Sequence, residues 1–455
     1  MRINLLKNKK ILILGLGREG ESSFKFLRKI FFDKIIGLAD KSEFKELAKT
    51  LKRKIKKDEN IKLHLGKDYL KSIGDYEVII KTPGLPKKIF APYVSGKQTT
   101  TSQTDIFLQN YSQQTIGVTG TKGKGTTVSL LSKIFEESHR EAELIGNIGK
   151  PVLNYFKDGK SKKTFIFEIS SQQLEDLGTS PHIAIFLNAH EAHLDYYKDI
   201  EEYFAAKKNI TLWQKKDDFF IFNSDSPRLR TLAGKTKAKK IAFGKDNSND
   251  CYFNQEAIFY QGKRVIKLKD IHLPGEHFLY DIMAAVCAAR LFNIPLPKIR
   301  KSIAHYRTQK HCLQRIGKFK EIIFYDDSFA TEPIAAISAI KAIKPRTIIL
   351  GGHERGLNFS ALAKTIIKHR IKTAIIFPPA GKRIKQAVME TLGETDEKPK
   401  FIFVDNMKEA VRFCYQYTAP KEICALSPAC ASFGIFKNYK DRGDQFQKFV
   451  KQFTK

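Results

Sequence analysis

The stretch Gly117–Thr127, GVTGTKGKGTT, decides how the middle of this chain folds. An apolar run, predicted as a strand over Gln114–Val118, leads into it, and a helix is predicted from Val128. Backbone N–H groups in a glycine-rich turn of this kind can surround phosphate oxygens, and Lys124 can neutralise the β and γ phosphates. The pattern therefore predicts a nucleoside triphosphate site formed by Gly120, Thr121, Lys122, Gly123, Lys124, Gly125 and Thr126.

The residue after the loop lysine departs from the usual pattern. A serine or threonine normally stands there and holds Mg²⁺ with its hydroxyl, but this chain has Gly125. We therefore expect the metal contact to come from Thr126 or through a water molecule.

Apolar runs of strand length alternate with helical stretches along almost the whole chain. This alternation predicts an α/β fold in which helices cover parallel sheets. Polar stretches near residues 99–103 and 305–311 are predicted as linkers, which gives domains at 1–101, 102–307 and 308–455. The predicted strands are Lys10–Leu14, Val78–Lys81, Gln114–Val118, Thr164–Phe167, Ile183–Leu187, Phe219–Phe222, Thr347–Leu350, Ala374–Phe377 and Ile423–Leu426.

The composition indicates a globular protein with a basic surface. Of the 455 residues 42% are hydrophobic, and the formal net charge is +32. The lysines are dispersed and belong to no nucleic-acid module, so we expect anionic small substrates and no nucleic acid as partners. Six cysteines without a CxxC pair indicate a reduced, cytoplasmic compartment. No segment has the length of a membrane span.

A second glycine-rich turn, Gly15-Leu16-Gly17-Arg18-Glu19-Gly20, follows the first predicted strand, and Asp40 ends the next one. The spacing matches a dinucleotide-type pattern, in which the glycines let the backbone approach a pyrophosphate and the acid takes a ribose hydroxyl. By itself this pattern indicates either a nucleotide-like ligand or close packing of a helix on the sheet.

An acid and an imidazole follow two later strands. Glu168 comes after Thr164–Phe167, and His193 lies in LNAHEAHLDYY after Ile183–Leu187. In a sheet with a phosphate loop the carboxyl ends of the strands face the phosphates, so both groups can hold metal ions. Taken singly, Glu168 is equally compatible with an acid at a helix start, and His193 with a hydrogen-bonded core residue.

Several segments together resemble the Mur ligase family. They follow one another in the family's order from residue 15 to residue 446, so the resemblance covers nearly the whole chain. The last segment is the most diagnostic, because it distinguishes the member that adds D-glutamate from its sister ligases. The segments are GLGREG, KTPGLP, GVTGTKGKGTT, GNIGKP, EISSQQLE, LNAHEAHLDYY, YFAAKKNI, LPGEHFLYDIMAA, FYDDSFATEP, ILGGHERGLNF and LSPACASFGIFKNYKDRGDQF.

The resemblance implies a Rossmann-like N-terminal domain for a UDP-sugar, a central P-loop ATPase domain with a parallel sheet, and a Rossmann-like C-terminal domain for an amino acid. The first glycine-rich turn would then receive UDP rather than NAD. The residues implied at the UDP-muramoyl site are Gly17, Arg18, Asp40, Lys41, Thr82, Gly84, Asn147, Ser170 and Gln173. Those implied around D-glutamate are Thr331, Arg355, Ser432, Phe433 and Tyr439, and the resemblance adds Asp281 and Asp327 to the ATP site.

The implied activity is ATP-dependent addition of D-glutamate to UDP-N-acetylmuramoyl-L-alanine through an acyl phosphate, in peptidoglycan precursor synthesis. The implied catalytic residues are Lys124, Glu168, His193 and Lys207. Two Mg²⁺ ions are implied, held by Thr126, Glu168, His193 and Lys207. Lys207 matches a family lysine that CO₂ converts into a carbamate. Without the resemblance it would be taken for an ordinary surface lysine.

Departures from the family pattern lie on the nucleotide side. Besides Gly125, Phe278 and Asp281 stand where asparagines are expected, and Cys312 and Gln314 interrupt an HRxE motif. They leave two alternatives open: a catalytically weakened paralogue that binds UDP-muramoyl ligands, and a sister ligase or folylpolyglutamate synthase with another amino acid. The expected state is a cytoplasmic monomer.

Overall fold

The computed structural model describes residues 3–147, 150–156, 163–190, 196–394 and 397–454. Within these ranges the predicted α/β class is confirmed, because helices alternate with strands that form three sheets. The chain divides into two compact units. The first contains Met1–Leu268 and Tyr280–Ile303, and the second contains Lys269–Leu279 and Ala304–Lys455.

The first sheet is parallel and has the strand order β3-β2-β1-β4-β5. Its central strand, with the sequence ILIL, is buried along its whole length, as expected for a strand whose two faces are covered by helices. The strands are β1 Ile11–Leu14, β2 Ile36–Asp40, β3 Ile61–Leu65, β4 Val78–Lys81 and β5 Thr99–Thr101. The helices are α1 Arg18–Ile30, α2 Lys49–Ile55 and α3 Lys87–Phe90.

The predicted linker near residues 99–103 is wrong. Thr99–Thr101 is the edge strand β5, and helix α4 begins at Gln103. Threonine is β-branched and favours extended backbone, and an edge position tolerates its hydroxyl, so a polar run of this kind can be a strand.

The second sheet has the order β14-β13-β12-β11-β10-β9-β6-β8-β7, with antiparallel pairing only from β12 to β14. Its strands are β6 Thr115–Thr119, β7 Ala142–Gly146, β8 Thr164–Glu168, β9 Ile183–Phe186, β10 Phe219–Asn223, β11 Lys239–Gly244, β12 Cys251–Phe253, β13 Ala257–Tyr260 and β14 Lys263–Lys267. The helices of this part of the chain are α4 Gln103–Tyr111, α5 Lys124–Glu137, α6 Ser171–Leu174, α7 Ile200–Leu212, α8 Pro227–Lys235, α9 His277–Leu291 and α10 Leu296–His305.

The third sheet has the order β15-β16-β20-β17-β18-β19, and β15 is its antiparallel strand. Its strands are β15 Gln314–Phe319, β16 Ile322–Asp326, β17 Thr347–Gly351, β18 Thr373–Phe377, β19 Lys400–Phe403 and β20 Ile423–Leu426. Its helices are α11 Pro333–Ile343, α12 Ser360–Lys368, α13 Ala380–Thr391, α14 Met407–Tyr417 and α15 Tyr439–Gln452. Short 3₁₀ helices lie at Ile3–Leu6, Phe44–Glu46, Tyr69–Asp75, Ala91–Tyr93, Ser112–Gln114, Val152–Tyr155 and Leu268–Asp270.

The strand orders show where ligands can enter the first compact unit. In the first sheet the order reverses between β1 and β4, and in the second it reverses at β6. Crevices form at the carboxyl ends of strands at such points, so the two glycine-rich turns occupy the usual positions for ligand binding. None of the described helices is long and apolar enough to cross a membrane.

The predicted domain limits of 1–101, 102–307 and 308–455 stay predictions. Each range encloses the strands of one sheet. The two compact units have different boundaries. The first two sheets lie in the first unit, and Lys269–Leu279 belongs to the second unit.

Candidate active site

The loop after β6 has the strand–loop–helix geometry that the sequence predicts. Gly123 precedes α5 with a φ of +88°, a left-handed conformation that favours glycine. A Cβ atom there would lie 2.0 Å from Oδ1 of Asp281. The Lys124 ammonium donates to the carbonyl oxygens of Gly120 at 2.7 Å and Thr121 at 3.3 Å, so it lies over the loop.

Asn188, two residues after β9, holds this loop in place. Its Oδ1 accepts from the backbone N–H of Lys122 at 2.9 Å, and its Nδ2 donates to the Lys122 carbonyl at 3.0 Å. Its own carbonyl accepts from the backbone N–H of Thr121 at 3.0 Å. The hydroxyl of Thr121 in turn donates to the His190 carbonyl at 3.1 Å. The segment after β9 therefore fixes the loop through several hydrogen bonds.

Lys207 on α7 is fully buried against the same loop. Its Nζ donates to the Gly120 carbonyl at 3.0 Å and to the Thr119 hydroxyl at 3.2 Å. Burial lowers the pKa of Lys207 well below its ordinary value, the positive charge of Lys124 lowers it further, and Glu168 opposes the shift. The arrangement therefore favours a neutral amine, which is a nucleophile.

Glu168 ends β8 and is buried near these lysines. Burial raises the pKa of its carboxyl, and Lys124, Asn147 and Lys207 each lower it in part. Its Oε2 atom has no hydrogen-bond partner among the described residues. A buried carboxylate oxygen without a donor is costly unless a proton or a cation reaches it.

The groups beside the loop fit a divalent cation that is also bound by phosphate oxygens or water. Thr126 is buried in the first turn of α5, and the next hydroxyl, on Thr127, is buried without a partner among the described residues. Magnesium prefers oxygen ligands and usually keeps several waters or phosphate oxygens. The described ranges contain no group of three or more His, Cys, Asp or Glu side chains that holds a metal by itself. His193, the other predicted ligand, lies outside the described residues.

Asp281 on α9 faces the loop from another side. It is buried, and its Oδ1 occupies the space that a side chain at position 123 would need. Burial raises the pKa of Asp281 well above its ordinary value, with Lys124 opposing the shift. The predicted ATP-side residue therefore contacts the phosphate loop.

A cavity of about 610 Å³ lies at the carboxyl ends of β1 and β4. Arg18 and Lys41 supply two cations to its wall, and Tyr69, Leu85 and Ile89 supply apolar surface for a flat ring. Most of the residues implied for the UDP-muramoyl ligand line it, namely Gly17, Arg18, Asp40, Lys41, Thr82, Gly84 and Asn147.

A second cavity, of about 300 Å³, lies next to the first. The residues that line both are Pro83, Gly84 and Asn147. The wall of the second also contains Lys124, Ser170 and Lys207. The adjoining cavities line a path from the first glycine-rich turn to the lysines of the phosphate loop.

Two residues that were predicted to contact the ligand, Asp40 and Gln173, form hydrogen bonds within the protein. Asp40 lines the first cavity, but its Oδ2 accepts from the backbone N–H of Leu16 at 2.6 Å and so fixes the turn. Gln173 is not among the lining residues of either cavity. Its Nε2 donates to Glu19 at 2.8 Å, and its Oε1 accepts from the backbone N–H of Ser170 at 3.0 Å. Gln173 supports Ser170 through these bonds, and its contact with the UDP-muramoyl ligand stays a prediction.

Residues implied around D-glutamate lie in the second compact unit and form two pairs of side chains. The Arg355 guanidinium lies 5.7 Å from the centre of the half-exposed Phe433 ring. The Tyr439 ring packs on Phe329 at 5.0 Å, and the backbone N–H of Thr331 donates to the Phe329 carbonyl. Phe329 thus connects two of the predicted residues.

Asp327 and Ser432 are buried in the second unit. The Asp327 carboxylate accepts from the backbone N–H of Leu313 at 2.9 Å and from the hydroxyl of Ser427 at 2.7 Å. These bonds join the segment after β16 to the segments before β15 and after β20. Contact of Asp327 with ATP stays a prediction.

The sequence analysis assigned no role to Asn188, Tyr203 or Arg442, although they lie in the segments LNAHEAHLDYY, YFAAKKNI and LSPACASFGIFKNYKDRGDQF. Asn188 follows a predicted strand, so the strand-end argument that identified Glu168 would also have identified it. The Tyr203 hydroxyl donates to the Thr121 hydroxyl at 3.2 Å, and its ring centre lies 4.8 Å from Nζ of Lys207. Its position in the segment YFAAKKNI, four residues before Lys207, is the signal that could have identified it.

Comparison with known proteins gives consistent matches over the whole chain. Residues 118–289 match the family model described as the Mur ligase middle domain. The chain is 31% identical over 459 residues to the UDP-N-acetylmuramoylalanine–D-glutamate ligase of Caldanaerobacter subterraneus subsp. tengcongensis, with 98% of each chain covered. It is 31% identical over 403 residues to the enzyme of the same name from Symbiobacterium thermophilum, with 86% of this chain and 87% of that one covered.

Solved structures share the fold at lower identity. The MurF ligase of Thermotoga maritima, in complex with ADP, superposes with a TM-score of 0.62 and 15% identity, covering 97% of this chain and 95% of that one. The UDP-N-acetylmuramate–alanine ligase of Thermotoga maritima gives a TM-score of 0.57 and 16% identity, covering 98% and 99%. At these identities the likeness concerns the fold alone.

Proposed function

This chain belongs to the Mur ligase family, and on that premise we propose that it joins D-glutamate to UDP-N-acetylmuramoyl-L-alanine with consumption of ATP, in peptidoglycan synthesis. The observation that carries this activity is the 31% identity, over 98% of both chains, to a ligase named for it. The adjoining position of the two cavities supports it, because the reaction needs a long UDP-sugar whose far end reaches a phosphate loop.

The chemistry explains why such an enzyme needs ATP. The alanyl carboxylate is a poor electrophile, so transfer of the γ-phosphoryl group to it creates an acyl phosphate. The amine of D-glutamate then attacks the acyl carbon, an amide bond forms, and inorganic phosphate leaves. Little covalent work falls to side chains, and catalysis depends on positioning and on stabilising charge.

Lys124 and the loop amides are the groups we assign to phosphate binding. The lysine cation lies over the loop, where it meets the β and γ phosphates of a bound nucleotide. Mg²⁺, held by Glu168 and by the hydroxyls at the start of α5, would neutralise further phosphate charge when it is bound. The bonds with Asn188 occupy the N–H groups of Thr121 and Lys122 and so fix the shape of the loop that the nucleotide meets.

Lys207 is the residue we assign to carbamate formation. Its buried, neutral amine can attack CO₂, which forms an N–C bond and releases one proton to solvent. The product is an anion beside the Lys124 cation, so the two groups attract each other. It also supplies oxygen atoms for a second metal contact near Oε2 of Glu168, which has no hydrogen-bond partner among the described residues.

The amino-acid side of the reaction falls to the second compact unit. Arg355 presents a planar fork of N–H donors that suits a carboxylate of D-glutamate, and the Phe433 ring holds its face. We infer that the enzyme works as a monomer in the cytoplasm.

Phosphate release tests the activity directly. We expect release with UDP-N-acetylmuramoyl-L-alanine, ATP and D-glutamate, and none with L-alanine, meso-diaminopimelate or L-glutamate in its place. Release with one of these other amino acids would identify a sister ligase. Release with none, together with tight binding of the UDP-sugar, would identify a binding paralogue.

Labelling with ¹³C-bicarbonate tests the carbamate. We expect a carbamate carbon signal in the wild type, no signal in Lys207→Ala, and loss of activity in that variant. The neighbouring exposed Lys208→Ala serves as the matched control and should keep both signal and activity. An active Lys207→Ala variant, or an active wild type without the signal, would remove the claim.

A further inference from the structure

We propose that one end of the first sheet is a docking face for an anionic phospholipid membrane. Strands β1, β2 and β3 run parallel, so the segments that precede them meet at one end of the sheet. The docking face consists of these segments, residues 7–10, 31–35 and 56–60, together with Leu5. The candidate ligand cavity lies at the carboxyl ends of the strands, which is the opposite end, so a docked membrane would leave it open.

Large apolar side chains are exposed on this face. Phe32 is 78% exposed, Leu5 61% and Ile35 53%. Phe32 and Leu5 are the two most exposed large hydrophobic side chains of the described residues. The Lys34 ammonium donates to the Lys7 carbonyl at 2.7 Å and so joins the segments that carry these side chains. Such grouped exposure usually marks an interaction site.

A partly buried arginine, Arg28, holds the segment that carries Phe32 in a fixed shape. Nη1 of Arg28 donates to the carbonyls of Phe31 at 2.9 Å, Phe32 at 3.0 Å and Lys34 at 2.8 Å. Nη2 donates to the carbonyl of Asn60, in the neighbouring segment, at 2.9 Å. Phe32 therefore points to solvent from an anchored loop. Because the loop is already ordered, little conformational entropy is lost when a partner binds.

The same face is basic. The three segments contain six lysines against three acids, and one of these acids, Asp58, is paired with Arg28 at 2.6 Å. The lysines are Lys7, Lys9, Lys10, Lys34, Lys56 and Lys57. Most of them are exposed, and these can face an anionic surface except for Lys9, which forms an ion pair with Glu77 at 2.7 Å.

A basic cavity of about 460 Å³ adjoins these segments, between the C-terminal parts of α1 and α2. Its wall consists of Phe24, Lys25, Arg28, Arg53, Lys54, Lys57 and Asp58. Lys25 forms an ion pair with Glu21, but no ion pair of Arg53, Lys54 or Lys57 is found in the described part of the chain. Partial burial and repulsion from Lys25 lower the pKa of Lys54. A phosphate group in the cavity would offset this repulsion between the two lysines.

Cations and apolar side chains on one rigid face together favour a membrane as the occupant. Aromatic and aliphatic side chains enter the boundary between headgroups and acyl chains, while lysines and arginines bind anionic headgroups at about 1 kcal/mol each. Nucleic acid would use the cations but would leave the apolar side chains in water. The combination of cations and apolar side chains therefore favours a ligand in which phosphate groups lie beside hydrocarbon, as they do in a phospholipid membrane.

Vesicle flotation with the full chain tests the proposal. We expect binding to vesicles of phosphatidylcholine mixed with phosphatidylglycerol, little binding to phosphatidylcholine alone, and release by salt. Phe32→Ser/Ile35→Ser should lower the partition coefficient roughly ten-fold, and Arg53→Ala/Lys57→Ala roughly five-fold for each cation. Arg28 is left intact because it holds the loop.

Matched control variants remove an exposed aromatic side chain or exposed cations outside the docking face. Phe403→Ser removes an exposed aromatic of the third sheet, and Lys263→Ala/Arg264→Ala removes exposed cations of β14. Both should bind vesicles as the wild type does, and all variants should keep the wild-type melting temperature and phosphate release. Equal binding of neutral and anionic vesicles, no binding to either, or undiminished binding of Phe32→Ser/Ile35→Ser would overturn the proposal. So would dimerisation in solution that is lost in that variant, without vesicle binding.

Discussion

Asn188 is the residue on which the shape of the phosphate loop depends most directly. Asn188→Ala removes the acceptor for the Lys122 N–H and the donor to its carbonyl. Leaving buried backbone groups unpaired costs about 1–3 kcal/mol, so we expect kcat/KM for ATP to fall by roughly ten- to a hundred-fold. Asn188→Asp keeps the acceptor, so its kcat/KM for ATP should lie between the values of the wild type and of Asn188→Ala. An alanine variant with wild-type kcat/KM in steady-state assays would show that the loop keeps its shape without these bonds.

Asp281 gives a prediction about pH, because burial raises the pKa of its carboxyl well above the ordinary value. A carboxyl of this kind contributes most to stability in acid, where it is protonated, and this contribution is lost as pH rises through the range between its unfolded and folded pKa values. We therefore expect Asp281→Asn to raise the free energy of unfolding at neutral pH, by about 1.4 kcal/mol per unit of pKa displacement.

Urea denaturation at several pH values checks this expectation. The gain from Asp281→Asn should shrink as the pH falls toward the ordinary carboxyl pKa. Asp217→Asn is the matched control, since the side chain of Asp217 is 96% exposed and should show no such trend. A gain that stays constant over the whole pH range would mean that the titration of Asp281 is not its cause.

The individual site residues differ in how far the sequence could predict them. Lys124 and Glu168 were predictable because a phosphate loop and a strand end place them by local rules. The burial of Lys207 was not, since a lysine next to another lysine on a helix carries no local sign of its environment. The hydrogen bond from the Gln173 amide to Glu19 was not predictable for a related reason, because Glu19 is far away in the sequence.

Among the elements, α15 fixes two loops of the second unit through one side chain. Arg442 is buried, and burial lowers the pKa of its guanidinium to about 10, which leaves it charged at neutral pH. It donates to the hydroxyl and carbonyl of Ser328 at 3.0 and 2.8 Å, and to the carbonyl of Cys430 at 3.1 Å. These loops lead to Thr331 and Ser432, two residues proposed to surround D-glutamate.

Arg442→Met should therefore affect both stability and amino-acid binding. It leaves several buried oxygens without donors, so we expect a loss of about 3 kcal/mol or more in urea denaturation and a raised KM for D-glutamate. KM for ATP should change less. Arg412→Met, on the exposed face of α14, is the control and should lose less than about 1 kcal/mol. Equal effects of the two substitutions would contradict an anchoring role for α15.

The buried parallel strands could be predicted from the sequence, and the edge strands could not. Runs such as Val78–Lys81 and Ile423–Leu426 match the structure exactly, because two covered faces demand continuous apolar residues. β5 and β15 lie at sheet edges, where one side has no neighbouring strand and polar side chains are tolerated. Their extended backbone is stabilised by partners distant in the chain, and local sequence carries no sign of these.

At the scale of the whole molecule, the union of the first two sheets in one compact unit was not predictable. The sequence suggested a boundary at residue 101, and the polar threonines there supported it. Side chains remote in sequence provide the connection instead: Ser22 donates to Asn154 at 3.1 Å, and Lys81 binds two acids of the segment after α6. The path between the cavities depends on this union, because its wall is drawn from both sheets.

Lys81 is the strongest of these connections and gives the last prediction. It is 1% exposed, at the end of β4, with its ammonium 2.7 Å from Glu175 and 2.8 Å from Asp176. Removing one partner from a buried ion group leaves uncompensated charge, so Lys81→Met should cost about 3–5 kcal/mol in urea denaturation, with little dependence on salt. Because Thr82 and Gly84 follow it and line the first cavity, KM for the UDP-sugar should rise as well.

Two further variants make the test of Lys81 specific. Lys9→Met breaks an exposed ion pair of the same 2.7 Å length, with Glu77, and should cost less than about 1 kcal/mol, since water screens such pairs. Lys81→Met combined with Glu175→Gln and Asp176→Asn removes all three charges and should recover much of the lost stability, because neutral side chains need no compensation. If the triple variant is no more stable than Lys81→Met alone, the unpaired charges of Glu175 and Asp176 are not what destabilises the single variant.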